Sequence, residues 1–391
     1  IGEQSINFKN MLSNYASITN FTIAENANIS QQAVLLNKLT KYNLVIVSVH
    51  KSNANAWKSY KINKKADILL QSIALQSKVV VPIFASPYSI NSLLSTNNFD
   101  AILLGYQNSN ISQQQVAQAI FGGVGISGKL PVTTKHFDIN FGINTNAIRM
   151  AYVSAEEIGF NTNFLYKIDS IAENAISENA IPGCQILIAK EGKIFFNKSY
   201  GYHTYDKKVV VKNSDVYDIA SITKIASTVP ILMQMVDERD LDLDDELGKY
   251  LELDSINKEH LIIREILAHQ AGLYPWIPFY KKTLVKDSIS GIMNLRDTLY
   301  NEEFSKDFPF KVSDNIYIHY SYPDSIINQI IDSELFEKKE YIYSDLGYYL
   351  LKKIIEKNYG KDLSNIVSDK FYRKLGMENL GYLPLRRIAE E

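Results

Sequence analysis

A serine and a lysine three residues apart, Ser221 and Lys224, form a pattern suited to nucleophilic chemistry. If Ser221 opens a helix, Lys224 lies one turn later on the same face, where its amine approaches the serine hydroxyl. A free serine is a weak nucleophile, and a neighbouring basic group activates it by removing its proton. The start of a helix also carries a partial positive charge, which stabilises an oxyanion formed there.

The same serine–lysine spacing begins at Ser48 and at Ser255, so the pattern by itself does not select a nucleophile. Ser48 ends an apolar run that is typical of a buried strand, and Ser255 lies in a polar stretch. Ser221, in contrast, follows the strand-like residues 217–220 and leads into an amphipathic helical run over residues 225–240. These surroundings favour Ser221 as the nucleophile.

A second candidate residue is Tyr343, in the sequence Tyr-Ser-Asp that ends at Asp345 and enters a helical pattern directly. An ionised tyrosine is a general base if a neighbouring cation lowers its pKa from about 10, and Lys224 is the natural cation. The alternative is a tyrosine buried in the core. A tyrosine with Asn or Asp two residues later also occurs at Tyr106 and Tyr322.

Five further segments lie around these residues in a recognisable order. They are Ile181-Pro182-Gly183, Gly201-Tyr202, Leu241-Asp242-Leu243-Asp244-Asp245, Ile266-Leu267-Ala268-His269-Gln270-Ala271-Gly272-Leu273 and Lys374-Leu375-Gly376-Met377. With the serine and tyrosine motifs, they resemble the landmarks of penicillin-binding proteins, class C β-lactamases and related esterases. The resemblance implies a serine hydrolase with Ser221 as nucleophile, Lys224 and Tyr343 as its catalytic partners and Asp345 as a substrate contact.

The sequence departs from this family at two points. Asp345 stands where the family has Asn, so an amide that donates and accepts hydrogen bonds becomes a carboxylate that only accepts. A third motif, Lys-Thr-Gly or His-x-Gly, is not found. Since the family places that motif after the segment ending at Met377, we expect it beyond Glu391. We therefore expect the chain to be a fragment that lacks part of its oxyanion hole.

His269 has two interpretations. A serine–histidine hydrolase would use it as the general base, whereas the resemblance implies a structural position in a turn. No carboxylate that would orient the ring is identified, and this favours the structural role. The other histidines are scattered without paired spacing, so no metal site is expected. The resemblance likewise implies no organic cofactor.

The first part of the chain alternates between strand-like and helix-like runs. The strand-like runs are residues 43–49, 78–86 and 100–107, and the helix-like runs are residues 65–76, 89–96 and 112–123. Such alternation predicts a parallel sheet with right-handed crossovers. Three stretches, 121–123, 127–132 and 141–142, resemble the C-terminal α/β sandwich domain of family 3 glycoside hydrolases. In that family the catalytic barrel precedes this domain, so we expect no glycosidase chemistry within these residues.

The predicted organisation has three parts. An α/β parallel-sheet sandwich domain covers residues 1–140, and residues 141–160 form a linker. An α+β domain of the β-lactamase and penicillin-binding type, with an antiparallel sheet and a helical subdomain, covers residues 161–391 and is expected to be incomplete at its C-terminal end. Within that domain, a hairpin is predicted to turn at Glu191-Gly192, because Gly supplies the positive φ of a tight turn.

Charge and hydropathy exclude some classes of partner. The formal net charge is −2, with 41 basic and 43 acidic residues, and no long block has one sign. This does not indicate nucleic acid as a partner. No apolar run reaches the length of about 18 residues that a membrane span needs. The family resemblances imply a location in the bacterial periplasm or cell envelope.

Three functions remain open at this point. The leading hypothesis is a hydrolase that forms an acyl-enzyme on Ser221 and acts on an ester, amide or peptide, with a small-molecule or peptidoglycan-derived substrate. The second is a bifunctional β-N-acetylglucosaminidase whose barrel lies outside this chain. The third is an inactive wall-binding module with a penicillin-binding fold. The presence of Ser221, Lys224 and Tyr343 together favours the enzyme.

Overall fold

The computed structural model describes residues 1, 5–52, 59–253, 257–377 and 379–384. The chain divides into two compact units, Ile1–Asp215 and Val216–Glu391. Each unit has its own clusters of buried apolar side chains. None of the described helices combines the length and the apolar character that a membrane span requires.

The first unit contains both helices and strands. Its helices are α1 (Ile6–Ser13), α2 (Ile29–Leu39), α3 (Lys64–Ala74), α4 (Asn110–Ile120) and α5 (Tyr166–Ser177). Its strands are β1 (Leu44–Ile46), β2 (Val49–His50), β3 (Lys78–Phe84), β4 (Ala101–Leu104), β5 (Ala151–Tyr152), β6 (Gly183–Lys190) and β7 (Lys193–Gly201). The short helix expected over residues 89–96 is a 3₁₀ helix, Pro87–Ser92, which begins at a proline.

Strand β3 is the central strand of a parallel sheet. Strands β1, β2 and β4 all pair with β3 in the parallel direction, which is the pairing that the strand–helix alternation predicts. Val79, Val81 and Ile83 of β3 are completely buried. A parallel strand with apolar side chains on both faces reads as a continuous hydrophobic run, and this explains why β3 was recognisable in the sequence.

Strands β6 and β7 form the predicted hairpin. Lys190 pairs with Lys193, so the turn consists of Glu191 and Gly192. Both turn residues have positive φ, 51° and 74°. This backbone is the one that a two-residue turn of type I′ requires, which confirms the predicted position of the turn. Strand β5 adds to β7 in the parallel direction.

The second unit is built mainly of helices. These are α6 (Val229–Asp237), α7 (Ile263–Leu267), α8 (Tyr322–Ile331), α9 (Leu346–Tyr359) and α10 (Leu363–Val367). A π-helical turn at Lys224–Thr228 precedes α6, and a second π-helical turn at Ser368–Tyr372 follows α10. The strands are β8 (Leu284–Lys286), β9 (Met293–Leu295), β10 (Tyr300–Asn301), β11 (Phe310–Ser313) and β12 (Ile316–Ile318). Strands β8 and β9 pair with each other, and β10 and β11 flank β12, all antiparallel.

Helix α9 lies at the centre of the helical core. Its buried residues Leu346, Leu350, Leu351 and Ile354 recur at the spacing of one helix face. They belong to the same cluster as the buried side chains of α6, α7 and α10. Helix α9 begins one residue after Asp345, so its burial holds the segment that contains the candidate tyrosine.

The central position of α9 leads to a prediction for stability. Replacement of the completely buried Leu351 by Ala is expected to lower the free energy of unfolding by about 2–5 kcal/mol, since it removes buried methyl groups and leaves a cavity. Urea denaturation followed by circular dichroism measures the loss. The control is Lys352→Ala on the same helix, which removes an exposed ion pair with Glu356 and should change stability by about 0.5 kcal/mol or less. Equal effects of the two substitutions would contradict the assigned core.

Candidate active site

Ser221 lies at the start of the helical segment that continues into α6. Its backbone carbonyl accepts a hydrogen bond from the Lys224 amide at 3.0 Å, so the chain turns into a helix at this serine. The preceding residue, Ala220, has a φ of 43°, which is uncommon for a residue with a Cβ. The Ala220 amide donates to the Asp218 carboxylate at 2.7 Å, and this bond helps to hold the turn. The Ser221 side chain is exposed.

A π-helical turn follows the serine, at Lys224–Thr228. Two tyrosine hydroxyls hold this wide turn: that of Tyr372 donates to the Ala226 carbonyl at 2.8 Å, and that of Tyr382 to the Ser227 hydroxyl at 2.8 Å. Single π-helical turns are rare and are often found at functional sites. Here the turn begins at the lysine of the serine–lysine motif.

The Lys224 ammonium joins the predicted site residues. Its Nζ atom lies 3.0 Å from Ser221 Oγ, 2.8 Å from Tyr343 Oη and 2.5 Å from Asp345 Oδ1. An ammonium group has three N–H donors, and three acceptors surround it here. The structure therefore brings all four predicted site residues together around one nitrogen atom.

Two opposing effects act on the pKa of Lys224. Burial of the side chain lowers the pKa, but the hydrogen bonds to Asp345 and Tyr343 outweigh burial, and the pKa is raised above its usual value. Lys224 is therefore an ammonium ion at neutral pH. The Tyr343 hydroxyl therefore accepts a hydrogen bond from a cation, at 2.8 Å.

The loop that carries Tyr343 is held by the segment 269–275. Four hydrogen bonds join the two: Ile342 N to His269 O at 2.9 Å, Ser344 N to His269 Nδ1 at 3.1 Å, Ser344 Oγ to Tyr274 O at 2.6 Å and Asp345 N to Pro275 O at 2.9 Å. Three of them involve backbone groups of residues 342–345 directly. The position of Tyr343 is thus determined by the backbone on both sides of it.

His269 contacts the tyrosine loop and makes no hydrogen bond to the serine. Its Nδ1 atom accepts the Ser344 amide proton, so this nitrogen carries no proton, and the ring lies 4.4 Å from the Tyr343 ring. Burial and the nearby Lys224 charge lower the pKa of His269, which keeps the imidazole neutral. This geometry supports the structural interpretation of His269.

The other serine–lysine patterns have different surroundings. Ser48 lies between strands β1 and β2, and its Lys51 forms an ion pair with Glu25. Ser255 lies outside the described residues. Its lysine, Lys258, is completely buried and donates a hydrogen bond to a backbone carbonyl at the C-terminal end of α8. Neither lysine is paired with a tyrosine hydroxyl in these contacts.

The two alternative tyrosines also lie elsewhere. Tyr106 belongs to the first unit. Tyr322 is buried, and its hydroxyl donates to the Phe279 carbonyl at 2.7 Å, while the following Asp324 pairs with Lys353. The pattern Tyr-x-Asp therefore has a structural role at Tyr322.

Sequence reasoning missed the contribution of Tyr348. Lys224 Nζ lies 5.0 Å from the centre of the Tyr343 ring and 5.6 Å from that of Tyr348, so two aromatic faces border the ammonium. Tyr348 follows Asp345 by three residues on the first turn of α9, and helical spacing could have identified it.

Among the described residues, no cluster of three or more His, Cys, Asp or Glu side chains could hold a metal ion.

The family of this chain follows from its match to known proteins. The family model described as Beta-lactamase matches residues 168–388, more than half of the chain, and this range contains the whole candidate site. The chain therefore belongs to the beta-lactamase family.

Several relatives share part of this chain. Protein flp of Staphylococcus aureus strain MW2 is 28% identical over 219 residues, which cover 54% of this chain and 37% of that protein. N-acetylmuramyl-L-alanine amidase of Bacillus subtilis strain 168 is 25% identical over 256 residues, which cover 62% of this chain and 52% of the amidase. The chain thus spans about half or less of the length of these relatives.

Two solved structures also match part of this chain. The octameric penicillin-binding protein homologue from Pyrococcus abyssi is 25% identical with a TM-score of 0.40, and the match covers 55% of this chain and 43% of that one. FmtA from Staphylococcus aureus is 20% identical with a TM-score of 0.37, and the match covers 54% of this chain and 49% of that one.

The contact between His269 and Ser344 predicts a pH-dependent stability. The folded-state pKa of His269 lies below its unfolded value of about 6.5, so its contribution to stability is complete above that pH and is lost as the pH falls through the folded-state pKa. His269→Ala should lower the free energy of unfolding at pH 7.5 by about 1–3 kcal/mol, because the buried Ser344 amide loses its acceptor.

His269→Asn is the matched variant. Asn supplies a side-chain acceptor and tolerates the φ of 57° at this position, so it should be less destabilising than Ala. Urea denaturation at pH 7.5 and at pH 5.5 measures both effects. Wild-type protein should lose more stability between these two pH values than either variant. A parallel pH dependence in all three proteins would rule out the assigned titration.

Proposed function

We propose that this protein hydrolyses an ester, amide or peptide bond through an acyl-enzyme on Ser221. The observation that carries the proposal is the convergence of the Ser221 hydroxyl, the Tyr343 hydroxyl and the Asp345 carboxylate on the Lys224 ammonium. A nucleophile, a candidate base and a cation that favours the ionised base are thereby present within one small site.

In the proposed mechanism, Tyr343 carries the proton through both halves of the reaction. Ionised beside Lys224, it takes the proton of Ser221 Oγ while Oγ forms a bond to the substrate carbonyl carbon. The tyrosine then gives this proton to the leaving alcohol or amine as the bond to that group breaks. In the second half, Tyr343 takes a proton from water, the water oxygen attacks the acyl carbon, and the proton returns to Ser221 Oγ as the acid leaves.

Lys224 has an electrostatic role in this proposal. Its raised pKa keeps it cationic throughout, so it stabilises the negative charge of the proposed base and does not itself take the serine proton. The start of the helical segment at Ser221 adds partial positive charge where the oxyanion forms. The strained backbone at Ala220 is consistent with a position that presents a reactive side chain.

We propose a cell-envelope substrate for this hydrolase. One relative is named an N-acetylmuramyl-L-alanine amidase. A peptidoglycan-derived or similar small substrate fits an acyl-transfer site. The corresponding location is the bacterial periplasm or cell envelope.

The second candidate function concerns the first unit. We propose that residues 1–140 form a sandwich domain of the family 3 glycoside hydrolase type, joined through residues 141–160 to the hydrolase domain over residues 161–391. The parallel sheet around β3 supports this proposal, together with the Ser-Gly-Lys-Leu-Pro stretch of residues 127–131. The parent protein would then also be a β-N-acetylglucosaminidase whose barrel lies outside this chain.

Covalent labelling tests the nucleophile. A fluorophosphonate probe should modify Ser221 of the purified chain, located by peptide mass spectrometry, and Ser221→Ala should abolish the modification. Ser48→Ala is the matched control, since it has the same serine–lysine spacing and should leave labelling unchanged. Tyr343→Phe should slow labelling by about 100-fold or more, because general-base catalysis contributes about 10²–10⁴-fold.

Other outcomes of this experiment separate the alternatives. Labelling of a different serine would contradict the assignment of Ser221. No labelling in this chain or in a longer form of the protein would favour the inactive wall-binding module. An undiminished labelling rate in Tyr343→Phe would overturn the role of the tyrosine as base while leaving Ser221 as the nucleophile.

A further inference from the structure

The carboxylate of Asp345 places a negative charge close to the nucleophile. Asp345 Oδ1 and Ser221 Oγ both bind Lys224 Nζ, at 2.5 and 3.0 Å. The two oxygen atoms are therefore at most about 5.5 Å apart, the sum of these distances. The Asp345 side chain is 43% exposed, so a molecule that reacts with Ser221 meets a partly solvated carboxylate.

The lysine beside this carboxylate has no N–H left for a substrate. Its three donors are matched by the Ser221 hydroxyl, the Tyr343 hydroxyl and the Asp345 carboxylate. The Lys224 side chain is only 15% exposed. A substrate carboxylate could bind the ammonium only by displacing Asp345, and the ion pair would then be lost.

Three described residues near the pair, His269, Tyr348 and Tyr349, carry no positive charge. His269 is neutral, because burial and Lys224 lower its pKa. Tyr348 and Tyr349 are phenols at neutral pH, since burial raises the pKa of both. The charges of Lys224 and Asp345 therefore cancel each other within the ion pair.

We propose that Asp345 favours substrates whose acyl group is neutral, is cationic or donates an N–H. The same carboxylate disfavours substrates that carry a carboxylate beside the scissile bond. The proposal rests on the acyl-enzyme function proposed for Ser221 and specifies its substrate class. A carboxylate only accepts hydrogen bonds, so it pairs with an amide N–H or an ammonium group. A substrate carboxylate at the same place would be repelled, and such repulsion is a common source of specificity.

Charged probes of equal length test this proposal. Three fluorophosphonates that carry a neutral, an anionic or a cationic tail are compared by their second-order rate constants for labelling Ser221 at low ionic strength. In the wild-type protein, the anionic probe should react about tenfold or more slowly than the neutral probe. In Asp345→Asn, the ratio of anionic to neutral rate constants should rise by about tenfold, whatever happens to the absolute rates.

Asp324→Asn is the matched control. Asp324 also follows a tyrosine by two residues, but it lies on α8 and pairs with Lys353 of α9. Its probe ratio should equal that of the wild type. If Asp345→Asn fails to fold, the labelling rates of the wild-type protein are compared at low and high ionic strength. High ionic strength should reduce the discrimination against the anionic probe. Equal rates for the three probes, or discrimination that salt and Asp345→Asn leave unchanged, would overturn the proposal. No labelling of the wild type by any probe, either in this chain or in a longer form of the protein, would instead overturn the function proposed for Ser221.

Discussion

The Lys224 ammonium and its three oxygen acceptors form the interaction on which the candidate site depends. Removing an ammonium ion from water costs several kcal/mol, and only close, well-directed partners compensate for this cost. Here a serine hydroxyl, a tyrosine hydroxyl and a carboxylate supply them at 2.5–3.0 Å. Ser221 comes from the same helical segment as the lysine, whereas Tyr343 and Asp345 come from a distant part of the chain. The second unit must therefore hold the segment of Ser221 and Lys224 close to the segment of Tyr343 and Asp345.

Contacts with the surrounding structure fix the position of each of these two segments. On the lysine side, tyrosine hydroxyls hold the π-helical turn Lys224–Thr228. On the tyrosine side, the buried helix α9 begins one residue after Asp345, and the segment that contains His269 pairs with the backbone of residues 342–345. These contacts involve backbone groups and buried apolar faces, so they hold the loop independently of the charged pair. The residues of the candidate site are thus positioned by elements that pack in the core of the helical unit.

The carboxylate of Asp345 sets the electrostatics of the candidate site through its ion pair with Lys224. A neutral partner would leave the charge of Lys224 available to substrates, whereas Asp345 neutralises it. The ion pair also raises the pKa of the lysine, so the cation persists beside Tyr343. A single side chain therefore influences both the charge state of Lys224 and the net charge beside Ser221. The family is shown over residues 168–388, whereas the choice of substrate depends on local chemistry of this kind.

The sequence by itself determined the local features of this protein. The serine–lysine spacing at Ser221, the hairpin turn at Glu191-Gly192 and the strand–helix alternation before residue 123 depend on neighbouring residues, so patterns of a few residues predict them. Five short strands over residues 284–318 were not predicted, because each has only two to four residues. Sequence context favoured Ser221 and Tyr343, but only the tertiary structure brings both to Lys224 and pairs Asp345 with that lysine, 121 residues away. Spacing repeats by chance along a chain, whereas contact between distant segments arises only when the core between them packs.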